Sequence, residues 1–201
     1  MKIVVYGATG MVGSQVVQTA AARGHEVTAV SRRGGAVPGA TSLAADIADT
    51  ETLAGLAADA DAVVVAVPPD RTGGPTEPMV EAHRRIIAAR PDTRLVVVGG
   101  AGSLLAGDAM LVDAPGFPDA YKPEAKAFAA ILDDYRASTG VDWTYVSPSP
   151  VIAPGERTGY VTGTDSPVGD SVTSTDFADA IVDELEAPAY VGRRFTVASK
   201  G

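Results

Sequence analysis

Short apolar runs alternate along the chain with stretches in which apolar residues recur every three or four positions. The runs Ile3–Tyr6, Ala62–Val67 and Leu95–Val98 are continuously apolar, which is typical of parallel strands covered on both faces. The stretches between them have the spacing of amphipathic helices. The pattern therefore predicts an α/β protein with a doubly wound, mostly parallel sheet of Rossmann type and helices on both faces.

The same pattern places the other elements. Further strands are predicted at Glu26–Val30, Ser42–Ala44, Trp143–Val146 and Arg194–Val197. Further helices are predicted from an N-cap at Thr50, around Met79–Ile87, over Lys122–Ser138 and from an N-cap at Thr175. Residues 1–201 are expected to form a single domain, in which the Gly- and Pro-rich residues 150–175 are an irregular cover on the substrate side.

A glycine-rich turn, residues 7–13, joins the first strand to a helix that ends near Gly24. Gly7 is expected to allow the tight turn, Gly10 to let the backbone approach a phosphate, and Gly13 to let the helix pack closely on its strand. The unpaired N–H groups and the positive end of such a helix suit a pyrophosphate. With the strand that follows, this βαβ unit predicts a dinucleotide site.

The residues after the second strand indicate which dinucleotide is bound. Sites that prefer NAD place a carboxylate there, whereas this chain has Ser31, Arg32 and Arg33. A guanidinium pairs with a phosphate through two parallel charge-assisted hydrogen bonds. We therefore expect NADP(H), with NAD(H) as the second possibility. The alternative is that both arginines are solvated loop charges.

Composition narrows the partners. A formal net charge of −9 argues against nucleic acid, whose phosphates bind clustered Lys and Arg. The chain has no cysteine, so neither a disulfide framework nor a metal site is expected. The apolar runs are too short to span a membrane, and a strand beginning at Lys2 leaves no room for a signal peptide. A cytoplasmic protein is the expectation.

A second glycine-rich turn, Gly99–Gly102, also follows a buried strand and is followed by Ser103. Ligands of open α/β sheets bind beyond the carboxyl ends of the strands. We therefore expect one crevice that holds the nicotinamide. It should be bordered by the turns after Tyr6, Val30, Ser42, Val67 and Val98.

These motifs, with Asp46 and the stretch from Trp143 through Pro154–Gly159, cover nearly the whole chain. They resemble the atypical short-chain dehydrogenase/reductase proteins of the NADH-flavin reductase type, which are related to biliverdin-IXβ reductases and NmrA-like proteins. The resemblance implies sites for pyrophosphate, adenosine phosphate, adenine and ribose. The residues expected to bind the cofactor are Gly7, Thr9, Gly10, Met11, Val12, Gly13, Ser31, Arg32, Arg33, Asp46, Ile47, Ala66, Val67, Pro68, Gly99, Gly100 and Pro148.

One departure from the family concerns catalysis. Short-chain dehydrogenases that act on alcohols use Tyr-x-x-x-Lys, in which the Lys lowers the pKa of the Tyr. Lys126 stands at about the expected place, but four residues before it is Lys122, with Tyr121 one place further. On a helix this shift rotates the phenol by about 100°. The catalytic candidates are Ser103, Tyr121 and Lys126.

Flavin reduction would tolerate this departure, because hydride transfer between stacked rings needs positioning more than a dedicated acid. We therefore expect a reductase that transfers hydride from NADPH to a flavin or similar planar acceptor, with flavin as substrate rather than prosthetic group. One alternative is an NmrA-like redox sensor that binds NADP(H) without turnover. Another is an epimerase or isomerase. A monomer and a homodimer both remain open.

Some polar residues are predicted to be solvated. His25 is expected in an exposed turn and His83 on the wet side of a helix. The acidic residues of the last helix fall opposite its apolar residues, so they are expected to form a solvated face. They are Asp176, Asp179, Asp183, Glu184 and Glu186.

Overall fold

The computed structural model, which describes residues 1–201, alternates strands and helices as the sequence predicts. The strands are β1 (Lys2–Tyr6), β2 (Glu26–Ser31), β3 (Thr41–Ala44), β4 (Ala62–Val65), β5 (Arg94–Val98), β6 (Leu105–Ala106), β7 (Ala109–Met110), β8 (Trp143–Pro148), β9 (Val151–Ala153), β10 (Tyr160–Gly163), β11 (Ser171–Thr173) and β12 (Arg193–Ser199). The α-helices are α1 (Met11–Ala22), α2 (Thr50–Ala58), α3 (Glu77–Ala89), α4 (Lys122–Ala137) and α5 (Ser174–Glu186). Two 3-10 turns span Leu111–Asp113 and Asp119–Tyr121.

Eight strands form the central sheet in the order β10-β12-β8-β5-β4-β1-β2-β3. All of them pair in parallel except β10, which is antiparallel to β12. The chain runs outward from β1 in one direction through β2 and β3 and in the other through β4 and β5. The predicted doubly wound fold is confirmed, and its reversal point lies between β1 and β4.

Two apolar layers cover the sheet. One lies under α1 and α5, which pack against each other, and contains Val5 and Val64. The other lies under α2, α3 and α4 and contains Val4 and Val63. Alternate residues of each central strand thus enter opposite layers, which explains the unbroken apolar runs. No helix combines the length and the apolar character that crossing a bilayer requires.

The segment 150–175 is more regular than expected. It contains β9 and β11, which form a separate parallel pair, and β10, which extends the central sheet. These strands were not predicted, because strands of three or four residues are too short to show an alternating pattern. The loop after β5 likewise contains the short antiparallel pair β6 and β7.

Two helix starts also differ from the prediction. The N-cap of α2 is Asp49, whose Oδ1 accepts the Thr52 N–H at 3.1 Å. The N-cap of α5 is Thr173, whose side chain accepts the Asp176 N–H at 3.0 Å. In both places several good capping residues stand close together, and the sequence alone does not rank them.

Three of the five acidic side chains of α5 are buried, so the predicted solvated face was wrong for them. The exposed fractions are 0% for Asp176, 7% for Asp179 and 4% for Glu184. Asp179 pairs with Arg157, and Glu184 accepts a hydrogen bond from Arg94 at 2.5 Å. Burial is possible because partners distant in sequence satisfy these carboxylates.

Both histidines lie within hydrogen-bond distance of a side-chain partner. His83 is 1% exposed, and its Nδ1 lies 3.1 Å from the Tyr135 hydroxyl. Burial lowers the pKa of His83 to about 4. The predicted solvated position was wrong because α3 packs on α4 along this side. His25 is also paired, with its Nε2 2.7 Å from Glu186.

Candidate functional site

The turn between β1 and α1 offers unused hydrogen-bond donors. The N–H groups of Gly7 and Ala8 donate to the Val30 carbonyl at 3.0 and 3.1 Å, and the Gly10 N–H donates to Gly7 at 2.9 Å. The first helical bond is from Ser14 to Gly10. Four other N–H groups have no acceptor in the protein, and they belong to Thr9, Met11, Val12 and Gly13. Such a helix start can bind an anion.

The three glycines of this turn have different reasons to be glycine. A Cβ on Gly7 would lie 2.3 Å from the Ala66 carbonyl oxygen, and its φ is +79°. A Cβ on Gly13 would lie 2.2 Å from the Gly7 carbonyl oxygen. A Cβ on Gly10 would meet only that same oxygen, at 3.2 Å, and its φ is −79°. Packing requires Gly7 and Gly13, whereas only one atom lies close to a Cβ built on Gly10, and the predicted approach of a phosphate there stays a prediction.

Two guanidinium groups lie beside this turn. Arg32 and Arg33 are exposed, and neither forms an ion pair or a hydrogen bond within the protein. Their loop is held by the Ser31 hydroxyl, which accepts the Gly35 N–H at 3.2 Å. A Cβ on Gly35 would lie 3.3 Å from Thr9, so the arginine loop adjoins the glycine turn.

The charge of Arg32 acts on Asp70, in the loop after β4. Hydrogen bonds from the backbone of Thr72 and Gly74, followed by the charge of Arg32, lower the pKa of Asp70. Asp70 lies in the loop after β4, whereas Arg32 follows β2, and these strands flank β1 on opposite sides. The two charges therefore lie on either side of the carboxyl end of β1.

The residues expected around adenine and ribose gather at the same edge. The Ala45 N–H donates to the Ser31 carbonyl at 3.1 Å, which brings Asp46 and the buried Ile47 beside the arginine loop. The Ala66 N–H donates to the Tyr6 carbonyl at 2.9 Å. Val67 and Pro68, both less buried than Ala66, continue from there. The structure thus brings together the predicted residues that follow β1 to β4.

The burial of the Tyr6 hydroxyl, at the end of β1 beside the glycine turn, was not predicted from the sequence. This hydroxyl is buried and has no hydrogen-bond partner. Burial, and secondly the charge of Asp49, raise the pKa of Tyr6 to about 12.

The second glycine turn is filled by the protein itself. A Cβ on Gly99 would lie 2.0 Å from the Tyr145 ring, and one on Gly100 would lie 2.7 Å from the Phe128 ring. One on Gly102 would lie 2.5 Å from Ala125. Packing against β8 and α4 explains these glycines. The expected cofactor contacts of Gly99, Gly100 and the buried Pro148 stay predictions.

The three catalytic candidates are not joined by any hydrogen bond. Ser103 is 5% exposed, and its Oγ accepts a hydrogen bond from Arg194 at 2.9 Å. Tyr121 is 61% exposed at the end of a 3-10 turn. Lys126 lines a groove between α3 and α4 with Glu81 and Arg84. The structure therefore forms no Tyr–Lys pair of the alcohol-dehydrogenase kind.

A doubly wound parallel sheet, a glycine turn with free N–H groups and unpaired arginines after β2 together define a dinucleotide-binding protein of Rossmann type. Residues 7–188 match the family described as NAD(P)H-binding, and the chain belongs to this family. A nicotinamide dinucleotide is accordingly its cofactor.

Solved structures show the same relationship. A proposed exported protein from Burkholderia pseudomallei is 38% identical, with 98% of this chain and 99% of that chain covered and a TM-score of 0.87. A proposed NADH-flavin reductase from Streptococcus pneumoniae is 31% identical, with both chains fully covered (100% each) and a TM-score of 0.86. A proposed epimerase from Bacteroides thetaiotaomicron is 32% identical, with 98% and 96% covered and a TM-score of 0.88. The resemblance predicted from the sequence is confirmed, and a reductase- or epimerase-like fold is established.

Proposed function

We propose that the protein is a reductase that binds NADPH in preference to NADH and transfers hydride to a flavin or a similar planar acceptor. The proposal rests on two neighbouring arginines without ion-pair partners, Arg32 and Arg33, which lie beside four N–H groups without acceptors. A dinucleotide with a diphosphate and a 2′-phosphate would use both the N–H groups and the arginines.

The donors of the site must act locally. The chain carries a net charge of −9, so its overall field does not attract an anionic cofactor. The N–H groups of Met11, Val12 and Gly13 would hold the diphosphate, and the two guanidinium groups would hold the 2′-phosphate. Each charge-assisted hydrogen bond contributes about 1.5–3 kcal/mol.

The catalytic candidates favour a planar acceptor. The bound cofactor supplies hydride from its nicotinamide ring. A carbonyl acceptor would also need a proton from a positioned donor, and Tyr121 and Lys126 do not form one. A flavin accepts hydride at N5 when its ring lies against the nicotinamide, so the protein has mainly to position two rings. The name of the Streptococcus pneumoniae relative agrees with a flavin acceptor.

Turnover separates the reductase from the redox sensor. Purified protein should oxidise NADPH faster with FMN, FAD or riboflavin than without them. Binding of NADPH without turnover on any flavin or quinone would contradict the proposal and support the sensor, which the missing Tyr–Lys pair also permits. The epimerase named among the relatives would need a proton-transfer pair that the candidates do not supply.

The cofactor preference is tested with the double variant Arg32→Ala/Arg33→Ala. The KM for NADPH should rise about 10- to 100-fold while the KM for NADH changes little, because only the 2′-phosphate contacts are lost. A matched control is Arg85→Ala/Arg90→Ala, which removes the same charge from exposed positions on and just after α3. If the ratio of the KM for NADPH to the KM for NADH were unchanged in Arg32→Ala/Arg33→Ala, the assignment of these arginines to the 2′-phosphate would be refuted.

A further inference from the structure

Tyr121 is the most exposed large hydrophobic side chain of the protein, at 61%. Four of the other five tyrosines hydrogen-bond through their hydroxyls: Tyr135 to His83, Tyr145 to Phe128, Tyr160 to Asp183 and Tyr190 to Thr162. The sixth, Tyr6, is fully buried. Tyr121 alone has neither a covered ring nor a partner for its hydroxyl.

Tyr121 stands at the edge of the sheet that carries the cofactor site. Helix α4 connects β5 to β8, which are parallel, so α4 begins at the carboxyl ends of the strands. Ala125, one turn after Tyr121, packs on Gly102 in the turn after β5. Glu124 accepts hydrogen bonds from Arg71, in the loop after β4, at 2.8 and 2.5 Å. Tyr121 therefore stands beside the loops after β4 and β5, with its ring exposed.

The residues around Tyr121 favour a role for its aromatic ring over a role for its hydroxyl as a proton donor. The Lys122 ammonium next to it is paired with Asp119 at 2.6 Å. Lys126 lines the groove between α3 and α4. No lysine is thus placed to assist proton transfer from the phenol, and an exposed aromatic ring at a ligand crevice is suited to stacking on another flat ring.

We propose that Tyr121 is a stacking residue that lies against the planar acceptor and selects flat aromatic acceptors over small non-aromatic ones. The inference deepens the proposed function and rests on it. Stacking involves the aromatic ring and not the hydroxyl, so phenylalanine should substitute for Tyr121 without loss of function. Loss of one aromatic stacking contact should weaken acceptor binding about 3- to 10-fold.

The test compares Tyr121→Phe and Tyr121→Ala, with riboflavin as acceptor. Tyr121→Phe should keep kcat, the KM for riboflavin and the pH profile. Tyr121→Ala should raise the KM for riboflavin about 3- to 10-fold and leave the KM for NADPH unchanged. Val191→Ala is the matched control. Val191 is 52% exposed but precedes β12, so it lies at the amino ends of the parallel strands, away from the cofactor site.

A second readout does not need turnover. Riboflavin fluorescence should be quenched when protein loaded with NADP+ is added, and Tyr121→Ala should require about 3- to 10-fold more protein for the same quenching. Equal KM and equal quenching in Tyr121→Ala would overturn the inference while leaving the reductase intact. Lost activity and a changed pH profile in Tyr121→Phe would overturn it by showing a proton donor. Absence of both turnover and quenching in the wild type would overturn the inference and the proposed function together.

Discussion

The two glycine-rich turns look alike in sequence, and each follows a buried parallel strand, yet only the first contains a glycine that packing does not explain. In the turn after β5, each of three glycines lies where a Cβ would collide with α4 or with Tyr145. In the turn after β1, packing explains Gly7 and Gly13, but a Cβ on Gly10 would meet a single atom, at 3.2 Å, and four nearby N–H groups have no acceptor. The first turn leaves space and donors for a ligand, whereas the second is filled by its own protein.

The comparison shows that a glycine pattern is informative only together with its surroundings. Unpaired donors and unfilled space mark a binding turn, and tight contacts mark a packing turn. Substitutions in the two turns should therefore fail in different ways, one through folding and the other through binding.

Gly99→Ala should have the largest effect, a loss of about 3 kcal/mol in the free energy of unfolding. Its Cβ would sit 2.0 Å from the ring of Tyr145, which is fully buried. Urea denaturation measures the change. Gly55→Ala is the matched control, since nothing lies within 4 Å of a Cβ there and alanine favours the helix. If Gly99→Ala unfolded like the wild type, the second turn would not be a packing turn.

Low pH should also destabilise the packing of α4, the helix that contacts the second glycine-rich turn. Helix α4, which packs on that turn, carries Tyr135, the partner of His83. The pKa of His83 is lowered to about 4 from 6.5, so below pH 6.5 the unfolded chain binds a proton that the folded chain refuses. Stability should fall as the pH drops from 6.5 to 4, and His83 should account for about 2 kcal/mol of the loss at pH 5.

His83→Gln keeps a polar partner for Tyr135 and removes the titration. Urea unfolding at pH 8 and pH 5 should show a smaller loss in the variant than in the wild type. Identical losses would contradict the role of His83 in the acid response.

Gly10→Ala should have a smaller effect, and on binding rather than folding. Its Cβ has only one close neighbour, at 3.2 Å, so the free energy of unfolding should change by less than about 1 kcal/mol. The same Cβ enters the space needed by the diphosphate, and the Kd for NADPH should rise about 10-fold, or about 1.4 kcal/mol. Fluorescence titration with NADPH measures it, and an unaltered Kd would remove the first turn from the cofactor site.

Most of the fold could be predicted because long apolar runs and helical spacing depend on local sequence. Strands such as Leu95–Val98 and the glycine turn at residue 7 needed no distant information. The short strands β9 to β11 could not be predicted, since their pairing is set by β12 and by each other.

Charged residues were harder to place than apolar ones. Glu184 is buried with partners that include Arg94, ninety positions away, and His83 is buried where α3 packs on α4. The site residues likewise divide into those set by local sequence and those set by distant contacts. Arg32 and Gly10 could be predicted from their local motif, whereas the separation of Ser103, Tyr121 and Lys126 depends on Arg194 and on the packing of α3 against α4.

Calorimetric titration of cofactor-free protein with NADPH and with NADH tests the central claim most directly. We expect saturable binding of one dinucleotide per chain, with NADPH bound about 10-fold or more tightly than NADH because of its 2′-phosphate. Equal affinity for the two would contradict the role of Arg32 and Arg33. Absence of binding by either would contradict the cofactor site itself.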